Sequence, residues 1–322
     1  MEDFFQELLA GESPDAPPVV DLCLDWSLVK DDLPGRFERL SCLEVFPALE
    51  DLSIQGHALS STQGLPPFPH LRSLNLSQNE IRDLAAFPDL PTLTFLDLSL
   101  NELSHLQDLP AFPRLTELHL SHNFLSTLDH LPHLSQLHSL HLTGNKSLRS
   151  PLPLPALPHL QQLFAKDCPL PLHSLREFQQ LQLLRLTPTQ NDFSQALAGM
   201  SALKELALYL KRLEGDFQLP RLDKLETLDL VDGRHISGLA GWDGLPSLQN
   251  LRLKGFNKDW DLGSIAEASE LRHVELQEIA ALDWKVLASL PRLEGIALGR
   301  GVNAAGLPDF EAARPEVELT FR

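Results

Sequence analysis

The chain has 322 residues and carries 26 Lys and Arg against 44 Asp and Glu, a formal net charge of −18. That acidity keeps an elongated protein soluble, disfavours nucleic acid or anionic membrane as a ligand, and leaves room for a basic protein partner. Three scattered cysteines, Cys23, Cys42 and Cys168, give neither a disulfide framework nor a CxxC metal pair, and no run approaches the roughly 18 apolar residues of a membrane span.

At the start of the chain, Phe4, Phe5, Leu8 and Leu9 recur at helical spacing, Gly11 can end the helix, and ESPDAPP follows as a stiff connector. Residues 1–18 are therefore expected to form a cap helix and connector, and 19–322 a single repetitive domain. No basic stretch precedes the apolar residues, so this is not a secretory signal. With its scattered cysteines the chain is expected in a reducing cytoplasm.

A divergent coil comes next. In VVDLCLDWSLV, Leu22 and Leu24 stand where Leu52 and Ile54 stand 30 residues later, so this coil holds an extra turn of chain, predicted to be helical around Arg36–Leu43. His57 then occupies the position filled by asparagine in the coils that follow.

Those coils are LRSLNLSQNEI, LTFLDLSLNEL, LTELHLSHNFL and LHSLHLTGNKSL, starting at Leu71, Leu93, Leu115 and Leu137, each 22 residues after the last. Leu74 and Leu76 alternate with Ser73, Asn75 and Ser77, the period-2 pattern of a short strand with one buried face. One such strand cannot bury its leucines alone; stacking the next coil in register covers them and pairs the backbones as a parallel sheet. Asn79, Asn101, Asn123 and Asn145 fall where the chain turns away from each strand. An amide there can serve loop backbone that has no sheet partner, so this column is read as a structural ladder.

The LxxLxLxxNxL pattern resembles the leucine-rich repeat superfamily, and its period is most similar to the internalin-like and phosphatase-regulator classes. The resemblance implies an α/β right-handed horseshoe with a parallel sheet on the concave face. It also implies relatives among adhesins, phosphatase regulators and bacterial effectors or immunity proteins, which act as scaffolds, regulators or neutralisers of other proteins.

The returns LAAFPDLPT, LQDLPAFPR and LDHLPHLSQ carry Pro88, Pro91, Pro110, Pro113 and Pro132, which exclude a long helix and predict extended chain or short 3₁₀ turns. PLPLPALPHL, from Pro151 to Leu160, is expected as an unusual return inside the solenoid. The second half keeps its strands, from Leu160, Leu181, Leu203, Leu225, Leu248, Leu271 and Leu293, but loses the asparagine. Cys168 is a recognised substitute; Thr189, Lys211, Gly233, Phe256, Ile279 and Gly301 depart from the pattern and put the tight turn in doubt. LGSIAEASE and DWKVLASLP can form short helices. A final strand through Val317, Leu319 and Phe321 closes the chain, flanked by charges that discourage further edge pairing.

Candidate chemistry concentrates on the histidines. Asp97, His119 and His141 share one exposed strand position on adjacent coils, so they form a row with a spacing of about 4.8 Å. Flat columns space donors badly for a tetrahedral ion, and no metal or other cofactor is expected. Ser99, Ser121 and Thr143 form a repeated hydroxyl column, whereas a nucleophile needs one singular activated position. No GxGxxG, GxxxxGK or HExxH motif occurs. The chain is expected to be no enzyme but a module binding a protein partner on its concave face through Phe95, Asp97, His119, His122, His141, Phe164, Arg185 and Tyr209. A metal-dependent or hydrolytic enzyme on the histidine-rich face is the alternative.

Overall fold

The alternating leucines form the strands expected of them. The computed structural model describes residues 18–25, 40–153, 156–189, 193–257, 260 and 263–322. The chain divides into two units, Met1–Leu160 and Gln161–Arg322. The expected cap helix and its connector, apart from Pro18, lie outside the described residues, as do residues 26–39 of the first coil with the start of the helix expected around Arg36–Leu43.

In the first unit, β1 (Asp21–Cys23), β2 (Asp51–Ser53), β3 (Ser73–Asn75), β4 (Phe95–Asp97), β5 (Glu117–His119) and β6 (Ser139–His141) lie parallel in chain order. The register places Leu22, Leu52, Leu74, Leu96, Leu118 and Leu140 side by side, with the 30-residue first step read from the sequence. Leu74, Leu96, Leu118 and Leu140 are completely buried. At roughly 1.5–3 kcal/mol for each buried leucine, this column and its neighbours Leu76, Leu98, Leu120 and Leu142 form the stabilising core.

After each strand the chain turns through a left-handed residue: Gln78, Leu100 and His122 have φ of 59°, 55° and 56°, and Gly144 has 82°. This turn aims the next side chain, the ladder asparagine, inward. Asn101 Nδ2 donates to the carbonyls of Leu76, Leu98 and Ser99 at 3.0, 3.1 and 3.2 Å, and its Oδ1 accepts from Ile81 N at 2.9 Å. Asn79, Asn123 and Asn145 repeat this pattern, each taking the carbonyl of the preceding coil as well as its own. His57 does the same with imidazole: its Nε2 lies 2.6 Å from Leu24 O, the carbonyl equivalent to Ile54 O beneath Asn79. The returns between β2 and β6 are turns and extended chain, as the prolines require, with Phe87 and Phe112 meeting edge to face at 5.4 Å. The extra turn of the first coil is a 3₁₀ helix over Leu40–Val45.

The second unit contains β7 (Gln162–Ala165), β8 (Leu183–Leu186), β9 (Glu205–Tyr209), β10 (Gly215–Gln218), β11 (Thr227–Val231), β12 (Ile236–Ala240), β13 (Asn250–Phe256), β14 (His273–Ile279), β15 (Gly295–Leu298) and β16 (Glu318–Phe321). All but β10 and β12 stack as parallel neighbours; those two pair with each other in a separate parallel sheet. Short helices fill several returns: 3₁₀ turns at Leu172–Glu177, Trp242–Gly244 and Gly263–Glu267, and α1 (Phe193–Leu197), α2 (Trp284–Ala288) and α3 (Leu307–Ala313). The two short helices expected from the sequence are among them, at Gly263–Glu267 and Trp284–Ala288; β10, β12, α1, α3 and the 3₁₀ turns at Leu172–Glu177 and Trp242–Gly244 are additional.

Without asparagine, the ladder position carries a different residue in each coil, and in one of them, at Phe256, an aromatic ring fills the column. Phe256 is buried, stacks on Trp260 at 4.3 Å and sits directly against Gly233. The left-handed residue before the ladder position persists at Asp167, Asp232, Gly255 and Glu278, with φ of 61°, 59°, 75° and 53°, and strand pairing resumes beyond it between Phe256 and Ile279. Arg314, just after α3, donates from Nη1 to Ala288 O and Leu290 O, both at 2.8 Å, tying this return to the one before it. The closing strand pairs with β15 as expected, and Phe321 at its tip is exposed.

Candidate interaction surface

The outward residues of each strand form columns because stacking is in register. In the first unit one column runs Asn75, Asp97, His119 and His141, and a second runs Ser73, Phe95, Glu117 and Ser139. The row of Asp97, His119 and His141 is the one read from the sequence. The ring centroids of His119 and His141 are 3.8 Å apart, and Phe95 meets His119 edge-on at 5.1 Å. Asp97 is held by Ser99, whose backbone N–H and hydroxyl both donate to Oδ1 at 2.8 and 2.5 Å.

His122 is not part of these columns. It occupies the left-handed turn, exposed and folded over Gly144, whose added Cβ would stand 2.6 Å from its Nδ1. Its neighbours along this rim include Leu100 and Phe124, exposed by 48% and 65%. Both are apolar residues that the strand pattern gave no reason to place in solvent.

In the second unit Phe164 and Arg185 share a column that continues through Ala207, Asp229, Arg252, Glu275, Ala297 and Thr320. Arg185 lies over the Phe164 ring, 5.5 Å from its centroid. Tyr209 lies one rung further along its strand, beside Val231, with the Lys166 ammonium 4.4 Å over its ring. Phe95, Phe164 and Tyr209 are each half-buried, so the aromatics are partly covered by these neighbours.

Small residues shape the far end of this face. Where Gly295 and Ala297 follow larger side chains, an open hollow of about 530 Å³ forms, walled by Asp229, Arg252, Glu275, Glu294 and Arg322. Arg252 Nε is buried and, although 3.4 Å from Glu275 Oε1, makes no hydrogen bond there. Burial raises the Asp229 carboxyl above its ordinary range, the nearby Arg252 and Arg185 charges opposing this only in part. The unfolded chain, with an ordinary carboxyl near pKa 3.9, therefore loses its proton at lower pH than the folded one, and stability falls as pH rises through that interval. Asp229→Asn is expected to raise the urea midpoint at pH 7, with the gain closing below about pH 4. A variant less stable than wild type at pH 7 would contradict this.

A leucine-rich-repeat family model matches residues 69–87. Among solved structures, the internalin InlF of Listeria monocytogenes is 19% identical, with a TM-score of 0.58 over 92% of this chain and 88% of that one. The fold is a leucine-rich-repeat solenoid. TLR13, solved in complex with the RNA ssRNA13, is 21% identical with a TM-score of 0.63; the match covers 82% of this chain but only 40% of TLR13. No curated protein sequence matches the chain. Among the described residues no helix is long and apolar enough to cross a membrane.

Proposed function

We propose that this leucine-rich-repeat chain is a non-enzymatic interaction module that holds a protein partner against the outward, concave strand face. The observation carrying this reading is the division of labour within each strand. Inward leucines stay constant through the register, while outward residues change from Phe95 to Glu117 to Ser139 and from Asp97 to His119 to His141. A constant core beneath a variable face is what a repeat solenoid offers for recognition, and the likeness to an internalin supports a binding role of this general kind.

The TLR13 structure contains an RNA, but the −18 charge of this chain argues against a polyanion and for a basic protein partner. The hollow walled by Asp229, Glu275 and Glu294 suits a basic side chain of such a partner. The hydroxyl groups of Ser99, Ser121 and Thr143 recur coil after coil, and that of Ser99 serves Asp97, which favours binding over hydrolysis. The odd, scattered cysteines support a reducing cytoplasm as the place where the module acts.

The test begins with capture from source cells, comparing wild type with the triple variant Phe164→Ala, Arg185→Ala, Tyr209→Ala. A protein retained by the first and lost by the second is then titrated against each single variant by calorimetry. Truncating a true anchor is expected to weaken binding by at least about 2 kcal/mol, roughly 30-fold, with the melting temperature nearly unchanged. Equal affinity in three folded variants would move the site away from this face.

A further inference from the structure

We propose that Glu117, His119 and His141 form a binding site for one zinc ion on the outward face of the first unit. The site stands apart from the protein-partner reading and can fail or succeed without it.

The geometry comes from the two adjacent columns taken together. Glu117 and His119 are two residues apart on β5 and so share a face, and His141 is the neighbour of His119 on β6. Glu117 Oε1 lies 2.6 Å from His119 Nε2 and 3.7 Å from His141 Nε2, and one donor atom from each residue falls within 4.8 Å of the others. A tetrahedral zinc ion with bonds of about 2.0–2.1 Å needs donors roughly 3.3 Å apart, which small side-chain rotations from these positions supply. Row spacing along the backbone alone suggests poor geometry; Glu117, standing beside the row, closes the triangle.

The surroundings are those of a ligand set. Asp97 Oδ2 lies 3.8 Å from His119 Nδ1, the nitrogen left over when Nε2 binds metal. Asp97 is fixed in turn by Ser99, and a rotation of the His119 ring that closes the remaining gap makes it the carboxylate partner of a metal-bound imidazole. Phe95 packs against the other side of His119. Ser139 Oγ lies 3.1 Å from His141 Nε2, so its hydroxyl gives up that hydrogen bond when the nitrogen binds metal. The side chains of His119 and His141 are 23% and 22% exposed, enough for an ion to enter and too little for them to move freely. Two imidazoles and one carboxylate form a set that zinc favours.

The experiment uses untagged full-length protein, equilibrated with micromolar zinc, freed of excess by gel filtration and assayed by elemental analysis, with affinity measured by competition against a chromophoric chelator. About one zinc per chain is expected. His119→Ala and His141→Ala should each abolish stoichiometric retention, Glu117→Gln should weaken binding at least tenfold, and Asp97→Asn should weaken it roughly tenfold while keeping the stoichiometry. Cobalt in place of zinc should give the intense visible bands of a tetrahedral site in the wild type and lose them in the histidine variants. Circular dichroism checks that each variant folds, and His105→Ala and His130→Ala, at exposed positions elsewhere, should bind as wild type. Absence of stoichiometric zinc in folded wild type, or its retention by the folded double variant His119→Ala, His141→Ala, overturns the assignment.

Discussion

Asn101→Ala is expected to lose about 3 kcal/mol of stability in urea denaturation, and Asn123→Ala about the same. In each case one buried amide side chain serves the carbonyls of two coils and the N–H of the earlier one, at Leu76, Leu98 and Ile81 for Asn101 and at Leu98, Leu120 and Leu103 for Asn123. Alanine leaves these groups buried and unpaired, at about 1–3 kcal/mol each before any relaxation, and removes a clamp between neighbouring coils. Ser99→Ala, by contrast, takes away a hydroxyl bonded to Asp97 on the outer face and should cost less than about 1 kcal/mol. If melts rank Ser99→Ala as the worst of the three, the ladder is not what ties the coils together.

Gly233→Ala is expected to destabilise the second unit by roughly 3 kcal/mol, the upper end of what overpacking costs. A Cβ built there stands 2.3, 2.4 and 2.7 Å from three ring atoms of Phe256. That ring is 1% exposed and stacked on Trp260, so it cannot withdraw without breaking the aromatic fill of the column. Shortening the ring with Phe256→Leu should be less harmful in the Gly233→Ala background than in wild type, and a double-mutant cycle reads that coupling directly. A Gly233→Ala protein that melts like wild type would show that the ring does not occupy this space.

The leucines made the solenoid legible because the inward positions carry nearly the same residue in every coil, and the asparagines made the first unit's turn legible because its chemistry requires an amide. The row of Asp97, His119 and His141 followed from period and register alone. The left-handed turns did not, because Gln78, Leu100 and His122 carry none of the glycine signal such a φ usually leaves. Spacing alone therefore puts His122 on the strand face, whereas it belongs to the rim. Where the asparagine is absent the pattern puts the tight turn in doubt, yet the left-handed residue recurs at Asp167, Asp232, Gly255 and Glu278; that Phe256 fills the amide's place, with Gly233 giving way, is a packing solution invisible in spacing. GDFQ and ISGLA are too short and too glycine-containing to announce β10 and β12. Glu117 stands in a different column from the histidines, so the period along one column does not bring it to them.

The ladder also has a direction. The N–H groups of Leu59, Ile81, Leu103 and Leu125 are each taken by the asparagine of the following coil, never by their own. A chain emerging from the ribosome, N-terminus first, therefore always ends in one unfinished coil, whose loop closes only after another 22 residues have been made. Each loop of the first unit is thus completed by its successor, and any chain cut short within it is expected to carry a single open seam at its newest edge.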